Sequence, residues 1–254
     1  MESYSLNKKQ ELFPLDVYFC NDCHHVQLLD VIDPKHLFEK YVYVSGTSPV
    51  FVSHFEQYAK SIINVYGESQ SSEFVIDIGS NDGTLLSYFK RSGFQVLGID
   101  PARDIGDLAK KKGVETKAAF FSSELAKTIL ASYGSAQIIC ANNVFAHVDD
   151  LNDLTWGIRA LLSDTGVFVF EVSYFRDIYE KILFDTIYHE HLDYHSIAPL
   201  QRYFGKFDME LISLERVASH GGSLRGVAQI RGGPHKVQSS VDQLAKEEIK
   251  VGLN

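Results

Sequence analysis

The late segment Tyr188-His189-Glu190-His191 puts four titratable side chains in a row. His191 beside Glu190 matches a general base with an orienting carboxylate, and Tyr188 adds a hydroxyl donor. His189 and His191 also form a His-x-His, which is half of a metal site. No glutamate-flanked helical His pair accompanies it, so acid–base chemistry is the better reading and a His-rich surface loop the plain alternative. His147 stands by itself just after an apolar run, where a ligand-facing loop or an ordinary polar loop fits equally well. Near the start, Cys20 and Cys23 form a Cys-x-x-Cys between two short strand-like stretches. Two thiolates on a tight turn share a zinc ion when two more ligands close the tetrahedron. His24 or His25 would complete a poorer set, and a turn with two reduced thiols is the alternative.

The element that positions this chemistry is the stretch 75–86, an apolar strand, a glycine turn and the first turn of a helix. Gly79 and Gly83 let backbone approach a ligand, and the N–H groups of the following helix point toward it. A second strand, residues 95–100, ends on Asp100, where a carboxylate can accept hydrogen bonds from a ribose. Such a pair occurs in dinucleotide dehydrogenases and in S-adenosylmethionine methyltransferases. The bulk of Ser80, Asn81 and Asp82, and the charge of Asp82, disfavour a pyrophosphate and so favour the second class. The residues expected around the nucleoside ligand are Asp77, Gly79, Ser80, Asn81, Gly83, Asp100, Pro101 and Asn142.

The rest of the pattern alternates strand and helix. Strands are expected near 73–78, 95–100, 114–119, 137–141 and 166–172, with helices between them. Asp77, Asp100, Asn142 and Glu171 all fall at strand ends. The order implies a doubly wound, mostly parallel sheet, a Rossmann-like α/β fold of the class I methyltransferase kind. Two late strands, 209–217 and 223–230, resemble the antiparallel pair that closes such a sheet. A helix over 49–66 presents Phe51, Phe55, Tyr58, Ala59, Ile62 and Ile63 on one face for packing on this domain. Residues 1–11 read as a frayed polar start, 67–72 as a polar connector, and 237–254 as one solvated helix.

Among 254 residues, 33 acidic against 24 basic side chains leave a net charge of −9 and no basic stripe. Nucleic acid and anionic membrane are therefore poor partners. No apolar run reaches the length of a span, the first eleven residues have no signal-like core, and three cysteines are no secreted framework. A cytoplasmic protein is expected.

The sequence resembles the sugar C-methyltransferases that act on nucleotide-linked 4-keto-deoxysugars. The resemblance rests on residues 14–29 with the Cys-x-x-Cys, 37–48, His54 and 77–85. It continues through 142–147, the Tyr-His-Glu-His-Leu run at 188–192, and His220-Gly221-Gly222-Ser223-Leu224-Arg225. It implies S-adenosylmethionine as cofactor, zinc bound by a four-cysteine N-terminal segment, and methyl transfer to carbon 3 of a dTDP-type keto-sugar through an enolate. His191 would be the base and Glu190 its orienting partner. Tyr188 and His147 would contact the sugar, with Tyr43 pointing in. The implied layout is a partial zinc-ribbon-like segment at 1–48, the methyltransferase domain at 49–236, and a polar tail at 237–254 that starts a further domain. Cys20 and Cys23 match only the second cysteine pair of that family. Two other readings are a non-catalytic module that binds cofactor or a partner subunit, and an O-methyltransferase acting on a small molecule.

Overall fold

The computed structural model describes residues 12–67 and 73–253; the polar start at 1–11 and most of the expected connector at 67–72 lie outside the described residues. Strands β1 (Val17–Phe19) and β2 (Val26–Leu28) form a hairpin, followed by helices α1 (Pro34–Phe38) and α2 (Pro49–Tyr66). The alternating part is β3 (Phe74–Ile78), α3 (Thr84–Arg91), β4 (Gln95–Asp100), α4 (Arg103–Lys111), β5 (Thr116–Ala118), α5 (Ser123–Tyr133), β6 (Ala136–Asn142), α6 (Leu151–Leu161) and β7 (Leu162–Ser173). Then come α7 (Phe175–Lys181), β8 (Asp193–Tyr194), α8 (Ile197–Gly205), β9 (Met209–Val217), β10 (Ser223–Ile230) and α9 (Ser239–Lys250).

Seven strands make one sheet in the order β5-β4-β3-β6-β7-β10-β9, parallel except for β10. Every residue of β3 is buried, because helices cover both faces. Ile76, Ile139, Phe168 and Phe170 face α5, α6 and α8, while Val75, Ile138, Val167 and Val169 face α2 and α3. α2 buries Phe55, Tyr58, Ala59, Ile62 and Tyr66 against the second face. Burial of each large side chain contributes about 1.5–3 kcal/mol, so packing rather than intrinsic propensity holds this helix. The chain runs outward from β3 to β5, then returns to β6, so the topological switch lies between β3 and β6, where α/β sheets bind ligands.

Two features differ from the sequence reading. The N-terminal hairpin is the start of a three-stranded sheet, β1-β2-β8, completed by the two residues of β8. The tail helix α9 has a buried side. Its Val241 and Glu248 are covered, and both Glu248 carboxylate oxygens accept from the Ile197 backbone N–H, at 3.0 and 2.9 Å. That contact satisfies an orphan donor at the start of α8. No helix of the described residues is long and apolar enough to cross a membrane.

Candidate active site

At the strand ends lies a cavity of about 790 Å³. Its floor is the β3–α3 turn. Gly79 has φ +73°, and a Cβ there would stand 2.2 Å from Val144 Cγ2. Glycine is therefore required both for the left-handed backbone and for the closeness of the β6 loop. Gly83 also has φ +73°, but it packs against Ala109 and Val114 and does not line the cavity. Its glycine serves the turn and the helix packing, not approach to a ligand. Asn81, at φ +49°, donates its backbone N–H to Asp100 Oδ2 at 2.9 Å, and Ala102 N–H reaches Asp100 Oδ1 at 2.8 Å. These bonds fix the carboxylate while leaving each oxygen a second lone pair. Burial raises Asp100, and burial together with the Asp100 charge raises Asp77 well above the usual carboxylate range.

Asn142 carries the clearest mark of a ligand-binding position. Both polar atoms of its amide are buried without a hydrogen-bond partner, and the residue lines the cavity. A buried amide left in this state costs free energy that a bound polar group would recover. Asp77, Gly79, Ser80, Asn81, Asp100, Pro101 and Asn142 all line the same space.

A loop from the N-terminal part closes over this floor. Ser45 N–H donates to Asn81 Oδ1 at 2.9 Å, Asn81 Nδ2 donates to the Tyr43 carbonyl at 2.9 Å, and Gly46 N–H donates to Asp82 Oδ2 at 3.2 Å. The Asn81 side chain thus holds the loop, and the loop carries Tyr41 and Tyr43 into the cavity lining.

The opposite wall is built by the segment after α7. Ala146 carbonyl accepts the N–H groups of Leu192 and Asp193, at 2.8 and 3.2 Å, and β8 is gripped by β2. This brings His191 against His147, ring centroids 5.0 Å apart, with Phe38 stacked beyond His147 at 5.9 Å. His191 Nδ1–H donates to the Thr186 carbonyl at 2.7 Å. A carbonyl can only accept, so the neutral ring keeps its lone pair on Nε2, which takes the Tyr188 hydroxyl at 2.9 Å. Burial lowers His191 below its ordinary value, and burial with the neighbouring His191 and His220 pushes His147 down to about 3. Burial and the Glu190 charge push Tyr188 up to about 12. The site therefore offers neutral imidazoles and a protonated phenol at neutral pH.

Tyr43, His147, Tyr188 and His191 converge on the cavity. Glu190 does not line it, and the orienting contact expected of Glu190 belongs to the Thr186 carbonyl. His189 points the other way, to the carbonyls of Phe13 and Pro14 at 3.3 and 3.0 Å, so it shares no metal with His191. His220, Phe38 and Thr186 also line the space and were not singled out as site residues in the sequence. The His-Gly-Gly run was the available signal for the first.

Cys20 and Cys23 are both exposed, and backbone N–H groups of Cys23 and Asp22 lower the Cys20 thiol. His25 is engaged by Asp193 at 2.6 Å and His24 stacks on Phe19, so neither completes a zinc set. No group of three or more His, Cys, Asp or Glu side chains suited to a metal occurs among the described residues. They supply half of a tetrahedral thiolate site.

Over residues 51–214 the sequence matches the family model "Methyltransferase domain". The chain belongs to that methyltransferase-domain family. A second model, "Putative zinc binding domain", matches residues 1–38 of the same chain. C-methyltransferase NovU of Streptomyces niveus is 32% identical over 244 residues, covering 96% of this chain and 58% of that protein. The chain thus spans somewhat more than half the length of that relative. Among solved structures, magnesium protoporphyrin IX methyltransferase of Synechocystis PCC 6803 with bound S-adenosylmethionine superposes with a TM-score of 0.53 at 15% identity. It covers 72% of this chain and 82% of that one. The PH0226 protein of Pyrococcus horikoshii OT3 gives 0.55 at 14% identity over 78% and 98%. These likenesses establish the class I methyltransferase fold for the domain.

Proposed function

We propose that the chain is an S-adenosylmethionine-dependent C-methyltransferase acting on a carbon next to the ketone of a nucleotide-linked keto-sugar. The observation that carries this reading is a single cavity lined both by the strand-end residues Asp77, Asp100 and Asn142 and by the Tyr188–His191 pair. Asp100 would hold the ribose hydroxyls, and the Asn142 amide and Asp77 would take polar groups of the cofactor. S-adenosylmethionine, when bound, supplies an electrophilic methyl on a sulfonium.

The chain's own residues account for the proton chemistry. A hydrogen on a carbon beside a ketone is removable because the charge passes to the oxygen. His191 is neutral, with its lone pair on Nε2, so it can take that hydrogen directly or through the Tyr188 hydroxyl bonded to it. Negative charge growing in the cavity favours imidazolium and so strengthens the base as the reaction proceeds. Thr186 holds the ring in one orientation throughout. Tyr188 and His147 are the groups available to hold the developing oxyanion. Tyr41 and Tyr43, clasped over the cavity by Asn81 and Asp82, limit the entry of water. The zinc-binding match at the start is assigned to a structural role. The C-methyltransferase name of the relative supports transfer to carbon, and the resemblance of the His-Glu-His region supports the substrate class.

The test is incubation of the purified chain with S-adenosylmethionine and a thymidine-diphospho 4-keto-6-deoxysugar, read by mass spectrometry. A product heavier by one methyl, bonded to carbon by NMR, is expected. Cofactor turnover only on hydroxyl acceptors would replace this reading with O-methyl transfer.

A further inference from the structure

The turn between β9 and β10 contains a histidine with an uncommon, left-handed backbone. His220 has φ +49° and ψ +37°, a left-handed backbone that L side chains rarely adopt. Two glycines follow it, so the turn already contains residues that take such angles freely. Its neighbours hold it there. Gly222 N–H and Ser223 Oγ both donate to the Ser219 carbonyl, at 2.9 and 3.0 Å, and Lys181 Nζ donates to the Gly221 carbonyl at 2.7 Å. A Cβ on Gly222 would collide with Asp177, which leaves no room for the turn to relax on that side.

This backbone aims an imidazole at the cavity. The ring lies 5.0 Å from that of Phe51 and lines the same space as His147 and His191. Asn143 Nδ2 donates to His220 Nε2 at 3.4 Å, longer than an ordinary hydrogen bond, and Nδ1 has no partner among the described residues. Asn143 is itself left-handed, at φ +54°. His191, by contrast, has both nitrogens engaged inside the protein. Strain held in place by surrounding structure, at a polar group with unused bonding capacity, is the pattern of a ligand contact.

We propose that His220 is a third imidazole contacting the substrate, holding an oxygen of the bound sugar, and that its strained backbone serves to point it there. This deepens the keto-sugar reading and rests on it. The experiment separates the two. Deuterium exchange at the carbon beside the ketone is followed by NMR in D2O with S-adenosylhomocysteine present, for the whole chain and for His220→Gly and His220→Asn. Glycine relieves the backbone and removes the imidazole; asparagine tolerates the backbone and keeps a donor. His220→Gly should lower exchange per KM about 10- to 100-fold, the worth of one hydrogen bond to a polarised oxygen. Its thermal midpoint should be unchanged or higher, its S-adenosylhomocysteine Kd within about threefold of wild type, and His220→Asn should recover part of the loss. Exchange by His220→Gly at the wild-type rate and KM overturns the proposal, as does a loss that tracks weaker S-adenosylhomocysteine binding. Absence of exchange in the wild type overturns the keto-sugar reading and this proposal with it.

Discussion

Alanine at position 79 adds one methyl group at the floor of the cavity, and the structure says what that methyl meets. It would stand 2.2 Å from Val144 Cγ2, inside any real contact distance, on a backbone at φ +73°. The left-handed backbone costs about 1–2 kcal/mol for an L residue, and overpacking adds about 1–3 kcal/mol. Gly79→Ala should therefore destabilise by about 2–5 kcal/mol, roughly 4–10 °C in midpoint for a chain of this size. Val144→Ala removes the colliding methyl; the Val144 Cβ that remains is 3.6 Å away, an ordinary contact. Alone it should cost about 1 kcal/mol for partly buried methyls. In the double variant the collision disappears while the backbone cost stays. The pair should then lose about 2–3 kcal/mol, less than the sum of the single losses by about 1–3 kcal/mol. Urea unfolding of all four proteins, with S-adenosylhomocysteine titrations on each, measures this coupling. Additivity within about 0.5 kcal/mol would mean that the turn and the β6 loop do not meet as described.

His191→Asn should lower kcat about 10²- to 10⁴-fold while S-adenosylhomocysteine binding is retained, read by calorimetry beside steady-state assay. Burial lowers His191, so in the wild type the acid limb of the rate profile should fall below pH 6.5, the ordinary imidazole value; a limb above it contradicts the assignment. Asn142→Ala should weaken S-adenosylhomocysteine binding about tenfold with no loss of thermal midpoint, because the amide has no protein partner to lose. Glu171 pairs with Arg225 and His54, at 2.6 and 2.8 Å; burial opposes the charge, but both partners together hold its carboxyl below the ordinary value. Its contribution is thus present above the unfolded value and fades as pH falls through the folded one. Arg225→Met should cost about 3 kcal/mol at pH 7 by urea unfolding, and less at low pH. His195 is buried and pushed down to about 4, so the folded chain resists a proton that the unfolded chain accepts near pH 6.5. Stability should drop by about 3 kcal/mol between pH 6.5 and 4 from this group, and His195→Phe should flatten that slope in pH-dependent denaturation.

Local pattern carried much of this architecture. The strand, glycine turn and helix at 74–91 and Asp100 at the end of β4 lie where the residue pattern puts them, and the late antiparallel pair lies where the resemblance to a closing pair puts it. So does α2, whose apolar stripe covers the sheet. What escaped depended on distant partners. β8 has two residues, too few for any period, and exists because β2 pairs with it, Gln27 with Asp193 and Val26 with Tyr194, across 166 and 168 positions of sequence. Glu190 adjoins His191 in sequence, yet the ring turns to the Thr186 carbonyl, and a backbone acceptor has no signature in residue type. The tail reads as polar along its length, yet its charged Glu248 is buried where it caps α8. The His-Gly-Gly run marks the position of His220, but its left-handed angle and that of Asn143 are not recorded in composition.

The three-stranded sheet ties the beginning of the chain to the cavity mechanically. β8 starts two residues after His191, and its partner β2 is the return arm of the Cys20–Cys23 hairpin. Pulling the hairpin loose would let the imidazole swing, and straightening the imidazole's loop would peel the hairpin. Whatever stiffens the early knuckle therefore also steadies the His191 ring, and the two rise or fail as one joint.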